Sequence, residues 1–164
     1  MIDFFHKGAE MTKKVVGIAK LKGVPDVEPR PPRKLRIGTF RNGKDRAADI
    51  LLEVADTPES RRRGLMGRKH MPPVLGMLFE GLSGGGYFWM KDCLIPLDVA
   101  FMDKDGIVVK TYSMPVDKEG EKHYEYGDDV TSAVEVAEGL LKKWGVKAGS
   151  RMKVRRLKGG REDG

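Results

Sequence analysis

The residues best suited to chemistry lie in one short stretch, Tyr87–Phe101, which combines aromatic side chains with a lysine, two aspartates and the only cysteine. Its second half, from Leu94 onward, is apolar enough to form a buried strand. Charged side chains are rarely placed in or against such a strand unless they pair or serve a site, because burying an unpaired charge costs several kcal/mol. The charged residues of this stretch are therefore expected to bind a ligand or to form ion pairs.

Two interpretations of these charges stay open. An arginine and a lysine beside an indole could hold a carboxylate, a phosphate or a sugar, with the indole as a stacking surface. Alternatively, an Arg63–Asp98 ion pair ties a helix to the sheet and Trp89 belongs to the core. We favour the ion pair for Arg63 and Asp98 and leave Trp89 and Lys91 undecided. The candidate ligand-binding residues are Arg63, Trp89, Lys91, Asp92 and Asp98.

Catalytic and metal-binding patterns are weak. Cys93 could be a nucleophile activated by Lys91. The sequence supplies no histidine partner for it, so a structural cysteine is favoured. The three histidines share no metal-ligand spacing. The acidic run 117–129 lacks the alternating oxygen ligands and the closing glutamate of a calcium loop. We expect no catalytic residue, no metal and no cofactor.

The net charge of +7 is concentrated at the two ends of the chain. Residues 1–46 carry twelve basic and five acidic side chains, residues 47–150 carry thirteen and seventeen, and residues 151–164 carry six and two. Basic ends favour an acidic partner, such as nucleic acid or acidic neighbouring subunits. Few aromatic residues are interleaved with these charges, so nucleic-acid binding is the lesser alternative.

Several classes of protein are disfavoured by simple counts. A single cysteine excludes an intramolecular disulfide framework. No apolar run is long enough for a transmembrane helix, and the N-terminus lacks the pattern of a secretory signal. We therefore expect no membrane association, and a cytoplasmic location or a place within a particle assembled inside the cell.

The chain divides into three parts: an extended, basic, proline-rich arm (1–34), a β-rich domain (35–157) and a flexible tail (158–164). Clustered prolines between Pro25 and Pro32 exclude helix and favour an extended linker. A short apolar segment flanked by lysines could add a strand to another subunit. The predicted assembly contacts are Val15, Val16, Ile18, Lys13, Lys14, Lys20 and Lys22.

The domain is predicted to be mainly β (α+β), a compact barrel-like fold with short helices, because many short strands alternate with turns. Asn42-Gly43 predicts a hairpin between strands 34–40 and 48–55. Thr57 as N-cap and Pro58 predict a helix that ends near Gly67, and a second short helix is expected at 138–144. The other predicted strands are 76–79, 87–90, 94–102, 107–114, 131–136 and 151–155, with a polar loop at 117–129.

Several motifs occur together in order and spacing. They are Thr57-Pro58-Glu59, Arg63-Gly64-Leu65-Met66-Gly67-Arg68, Gly76-Met77-Leu78-Phe79, Phe88-Trp89-Met90-Lys91, the run 95–101, Glu135-Val136, Gly139 and Gly145-Val146-Lys147-Ala148-Gly149. On these motifs, residues 48–154 resemble the prokaryotic family known as the domain of unknown function number 192. The resemblance implies a compact, mostly β, barrel-like fold with short helices, and it implies no activity. The chain departs from the family pattern at Asp92, usually asparagine, and at Cys93, usually threonine.

Two functions are carried forward. The first is a non-catalytic structural protein, a β-rich module that its arm docks onto other subunits of a larger assembly, such as the shell or connector of a virus particle. Those subunits could include copies of this chain. The alternative is a pocket protein or enzyme that binds a small anionic or sugar-like ligand at the rim formed by Trp89 and Lys91.

Overall fold

The structure, a computed structural model, describes residues 34–157, and these fold into a seven-stranded sheet, a two-stranded ribbon and two short helices. The large sheet contains β1 (Leu35–Asn42), β2 (Asp45–Ala55), β3 (Leu75–Glu80), β5 (Leu97–Asp103), β6 (Val108–Met114), β8 (Val130–Ala137) and β9 (Arg151–Arg156). The ribbon pairs β4 (Gly86–Phe88) with β7 (Tyr124–Tyr126). The helices are α1 (Pro58–Arg63) and α2 (Leu140–Lys143).

The strand order of the large sheet is β6-β5-β8-β3-β2-β1-β9. Its neighbours are antiparallel except for β2 and β3, which run parallel and are connected through α1, as a parallel pair requires a crossover. The sheet is not a continuous closed ladder, but its two edges meet at an Ile107–Arg151 bridge. There Val108 N donates to the Ser150 carbonyl (2.7 Å). The mainly β, barrel-like prediction is confirmed.

The two faces of the sheet differ in character because side chains alternate along each strand. One face, here called the cluster face, carries an apolar cluster onto which α2 packs through Leu140 and Leu141. The face on the other side, called the opposite face, is covered by α1 and the loop that follows it. The cluster includes Phe40, Ile50, Leu52, Val54, Leu78, Ala100, Met102, Val108, Val134, Val136 and Met152.

The predicted hairpin and first helix are present. Thr57 caps α1 reciprocally with Ser60: Ser60 N donates to Thr57 Oγ1 (3.1 Å) and Thr57 N to Ser60 Oγ (2.9 Å). The helix is shorter than predicted, because the backbone turns away at Gly64, which has φ 45°. Only glycine reaches this conformation at little cost.

Three other boundaries differ from the prediction. β5 begins at Leu97 rather than at residue 94, since the preceding residues form a turn and Pro96 has no N–H to give to a ladder. The segment predicted as a polar loop contains β7, whose alternation of Tyr124 and Tyr126 is too short to stand out from its charged neighbours. The second helix spans only 140–143. No helix within 34–157 has the length and apolar character to cross a bilayer.

Candidate functional site

A pocket of about 230 Å³ lies on the opposite face of the sheet. Its walls come from α1 and the loop after it, from the ribbon β4/β7 and from strands β3 and β8. The volume is below the roughly 300–1,000 Å³ of pockets for drug-sized ligands, so it suits a small molecule. The lining residues are Arg61, Arg62, Arg63, Gly64, Leu65, Met66, Phe79, Leu82, Tyr87, Phe88, Trp89, Cys93, Tyr126 and Glu135.

One side of the pocket is cationic. The last turn of α1 carries three consecutive arginines, and all three line the cavity. Arg61 donates from Nη1 to the Glu80 carbonyl (3.0 Å), which fixes the helix to the end of β3. Arg62 is exposed and Arg63 is half-buried. Burial raises the pKa of Tyr126 and the Arg61 guanidinium opposes this rise, as expected if the phenol and the guanidinium share the pocket.

The neighbouring side is aromatic. The Phe88 ring packs edge-to-face against Phe79 (centroids 4.8 Å apart), Phe101 (5.1 Å) and Tyr126 (5.9 Å). Because these rings belong to the ribbon and to the large sheet alike, their contacts hold β4 and β7 over the opposite face. The wall is therefore rigid on its inner side.

The outer part of the wall carries the predicted indole. Trp89 is half-buried, neither enclosed in the core nor fully free. Lys91 Nζ lies 5.4 Å from the centroid of the Trp89 ring. The Tyr87 ring lies 6.2 Å from the indole and stacks on the ring of His123 at 3.9 Å with an angle of 8°, and the His123 ring is 6.4 Å from the indole. Trp89 thus lines the pocket, and Lys91 lies at its rim.

The floor of the pocket is a carboxylic acid that the sequence analysis gave only within a family motif and did not name as a site residue. Glu135 is only 5% exposed, and its carboxyl group makes no hydrogen bond within residues 34–157. Burial raises the pKa of Glu135 to about 8, partly opposed by the Arg68 guanidinium. Desolvation disfavours the charged form more than this cation favours it, so the acid is protonated at neutral pH.

Glu135 has a counterpart two strands away. Cross-strand pairing places Glu53, Met77 and Glu135 in one row on the opposite face. Glu53 forms an ion pair with the buried Arg68. Arg68 Nε, however, is buried without a hydrogen-bond partner in the described part of the chain. The two glutamates of one row therefore differ: Glu53 forms an ion pair with Arg68, whereas Glu135 feels the Arg68 charge without pairing directly with it.

Asp98 belongs to a different part of the fold. It is 2% exposed and accepts hydrogen bonds from Ser113 Oγ (3.0 Å) and from the backbone N–H groups of Gly139 (2.9 Å) and Leu141 (3.3 Å). The expected Arg63–Asp98 ion pair is wrong. Asp98 alternates in phase with the cluster-face residues of β5 and caps α2, whereas Arg63 lies over the opposite face.

Asp92 acts through its backbone. It is the only described residue other than glycine with a positive φ (57°), a conformation that Asp and Asn tolerate better than most residues. Its N–H donates to the Lys118 carbonyl (3.2 Å) and its carbonyl accepts from Gly67 (3.0 Å). Asp92 therefore joins the loop after α1 to the 118 region, and its carboxylate is not part of the pocket lining.

The model of the family DUF192, described as "Uncharacterized ACR", matches residues 39–154. The chain belongs to the DUF192 family. This confirms the resemblance seen in the sequence and extends it at the N-terminal side. No curated protein matches the chain.

Two solved structures resemble this DUF192 protein. One is a provisionally assigned transcription regulator from Sinorhizobium meliloti 1021, with 28% identity and a TM-score of 0.71, covering 76% of this chain and 97% of its own. The other is a protein of unknown function from Novosphingobium aromaticivorans DSM 12444, with 23% identity and a TM-score of 0.67, covering 82% of this chain and 96% of its own. The second supports the fold alone.

In this DUF192 chain the candidate residues thus separate. Arg63 and Trp89 line one pocket, and Cys93 lines it too. Lys91 and Asp92 lie outside the lining, and Asp98 lies on the cluster face. The sequence analysis did not name four lining residues as site candidates, Arg61, Arg62, Tyr126 and Glu135, or Arg68, whose charge acts on Glu135.

The signal that could have found Glu135 was present in the sequence. It is the one charged residue inside the otherwise apolar or small strand 131–137, and the same argument had already been applied to Asp98. Within the described range no group of three potential metal ligands lies together. The predicted assembly contacts in the arm lie outside the described residues.

Proposed function

We propose that this domain is a binding module for a small organic anion with an apolar or aromatic body, which it holds without converting it. The observation that carries the proposal is the pocket itself. Three arginines and a wall of aromatic rings face one cavity whose floor is buried.

The arginines supply anion recognition. A guanidinium presents a planar fork of donors that matches a carboxylate or a phosphate, and such charge-assisted hydrogen bonds are about twice as strong as neutral ones. Arg62 is exposed at the pocket side of α1 and makes no ion pair within residues 34–157. It is therefore available to an incoming anion.

The aromatic wall supplies the second half of the recognition. Rings such as Phe88 and Trp89 bury the apolar part of a ligand, and their edges and faces favour another ring. The cavity of about 230 Å³ limits the ligand to a small molecule. A ligand with an anionic head and a ring or short apolar body fits both walls.

Binding is favoured over catalysis by the composition of the lining. The described residues that line the cavity include no histidine, the side chain that most often serves as a general base. A module that detects a small molecule is also compatible with the provisional assignment of the Sinorhizobium relative as a transcription regulator.

The experiment is a calorimetric titration of the full chain with 3-phenylpropionate and with 3-phenylpropanol, its neutral match. We expect the acid to bind at least tenfold more tightly than the alcohol. Arg62→Ala should lower the affinity for the acid about tenfold or more and leave the affinity for the alcohol unchanged. Arg151→Ala, an exposed arginine on β9 outside the pocket, is the matched control and should change neither.

The proposal fails if the acid shows no binding, if the alcohol binds as tightly as the acid, or if Arg151→Ala weakens the acid as much as Arg62→Ala does. In the last case the acid would respond to overall charge rather than to this pocket.

A further inference from the structure

We propose that the ligand is a zwitterion of the size of an aromatic amino acid, whose anionic group meets the arginines of α1 and whose ammonium group meets the carboxyl group of Glu135. The inference rests on the proposed function and adds a second recognition point to the same pocket.

The first support is the unmatched acid at the floor. Buried polar groups nearly always have a hydrogen-bond partner, and each exception calls for an explanation. Glu135 lines the cavity and is only 5% exposed. Its carboxyl group receives no hydrogen bond from residues 34–157. A ligand that donates hydrogen bonds from a cationic nitrogen would satisfy it.

The second support is the contrast with Glu53. Both acids occupy the same cross-strand row, two strands apart and so roughly 10 Å from each other. The fold supplies Glu53 with the Arg68 guanidinium as an ion-pair partner. Arg68 also acts on Glu135 as a nearby charge but forms its ion pair with Glu53, so a direct partner for the Glu135 carboxyl group is expected to come from the ligand.

The third support is the separation of charge within one cavity. The cations of the lining are the three arginines of α1, and its one acid is Glu135 on β8. A simple anion would use only the arginine side. A zwitterion matches both sides at once, because its carboxylate is complementary to the arginines and its ammonium group is complementary to the acid.

The groups around Glu135 define the proton balance. The titratable and charged groups that surround it come from five elements. The pocket lining contributes three arginines of α1, Cys93 from the turn before β5 and Tyr126 from β7. Beside it lie Arg68, from the loop after α1, and its ion-pair partner Glu53, on β2. Burial raises the pKa of Glu135 to about 8, so at pH 7 the empty site is protonated. When the ammonium group arrives, the acid ionises and its proton passes to the solvent, while the ammonium keeps its own.

The test is calorimetry of the full chain with three matched probes at pH 7, in two buffers that differ in ionisation enthalpy. The probes are L-phenylalanine, 3-phenylpropionate (no ammonium) and phenethylamine (no carboxylate). We expect phenylalanine to bind at least tenfold more tightly than either of the other two. Its binding should release close to one proton, seen as a heat that differs between the buffers.

Glu135→Gln removes the ionisable group while keeping the shape. In this variant phenylalanine should lose its advantage over 3-phenylpropionate, and proton release should disappear. Glu138→Gln, an exposed acid outside the cavity, is the control and should keep both. Because the three probes are compared on the unaltered chain first, the proposal can be judged even if Glu135→Gln does not fold.

The outcomes separate the two proposals. If none of the probes binds, the proposed function fails as well. If 3-phenylpropionate binds as tightly as phenylalanine, the pocket takes a simple anion and the zwitterion is wrong. If phenylalanine binds more tightly but releases no proton, Glu135 is not the group that meets its ammonium, and the proposed contact is wrong.

Discussion

The two faces of the same sheet treat polarity in opposite ways. On three neighbouring strands, Leu52, Leu78 and Val134 point into the apolar cluster, while the residues next to them in sequence, Glu53, Met77 and Glu135, form a row on the opposite face. Because side chains alternate along a strand, one set of backbones serves both faces. The fold can thus keep an apolar cluster on one face and still place two acids on the other, where Glu135 lines the cavity beneath α1 and Glu53 pairs with Arg68.

Two buried acids, Asp98 and Glu135, show the same contrast between the faces. Asp98, on the cluster face, accepts three hydrogen bonds and holds α2 in place. Glu135, on the opposite face, accepts none within the described residues. A fully satisfied buried polar group fixes structure, whereas an unsatisfied one costs stability. Asp98 is therefore a structural residue, and Glu135 is the residue whose burial requires a functional reason.

The largest expected effect is on the cluster face. Leu52→Ala removes a fully buried side chain and should lower the free energy of unfolding by about 2–5 kcal/mol. Ligand affinity, measured on the folded fraction, should not change. Urea unfolding checks the first statement and titration the second. Val74→Ala, at an exposed apolar residue, is the control and should cost little. A loss of affinity in Leu52→Ala would mean that the two faces are not independent.

The next effect is the pH dependence carried by Glu135. Its pKa is about 8 in the folded chain and 4.5 when unperturbed. Between these values the unfolded state loses a proton that the folded state keeps, so stability falls as the pH rises, by at most about 1.4 kcal/mol per unit. Glu135→Gln should remove this decline and be more stable than the unaltered chain at pH 8. Urea unfolding of both proteins at pH 5 and pH 8 measures this decline. If the free energy of unfolding changes equally with pH in the unaltered chain and in Glu135→Gln, the burial of the acid is contradicted.

Much of the fold could be predicted from the sequence because it depends on local signals. Asn42-Gly43 fixed the first hairpin, and Thr57 with Pro58 located the start of α1. The end of α1 and the strand β7 could not be placed, because Gly64 gave no sign of its left-handed backbone and the tyrosines of β7 are too few to show a period.

The site was harder to predict because it depends on which face each residue occupies. Arg63 and Trp89, which the sequence analysis placed in one group, both line the pocket. Asp98 was grouped with them because it is close in sequence, although its strand turns it toward α2. Glu135 lies 46 residues beyond Trp89 in the sequence, and only the pairing of β8 between β3 and β5 brings it beneath α1.

A smaller effect is expected at Trp89. Since its indole is half-buried, Trp89→Ala should cost about 1–2 kcal/mol of stability, less than the 3–5 kcal/mol of an enclosed aromatic residue. Affinity for 3-phenylpropionate should fall by more than tenfold if the indole contacts the ligand. Thermal unfolding and titration are compared on one sample. A stability loss as large as that of an enclosed residue, with affinity unchanged, would assign Trp89 to the core.

The smallest effect on stability concerns residues 1–33. A chain that begins at Lys34 keeps the hydrogen bond from Val54 N to the Lys34 carbonyl (2.9 Å), so its free energy of unfolding should change by less than about 0.5 kcal/mol. If the arm docks the domain onto other subunits, the truncation should abolish assembly, and high salt should weaken assembly of the full chain. Sedimentation of both chains tests this. Unchanged assembly after truncation would remove the case for a structural role.

The claim that the opposite face binds a small organic anion is tested most directly by amide NMR of the full chain during titration with 3-phenylpropionate. We expect saturable shifts at Gly64, Leu65 and Tyr126, which line the pocket, and none at Leu52 or Val134 on the cluster face. Shifts that do not saturate, or that appear on the cluster face and leave the pocket residues unchanged, would contradict the claim.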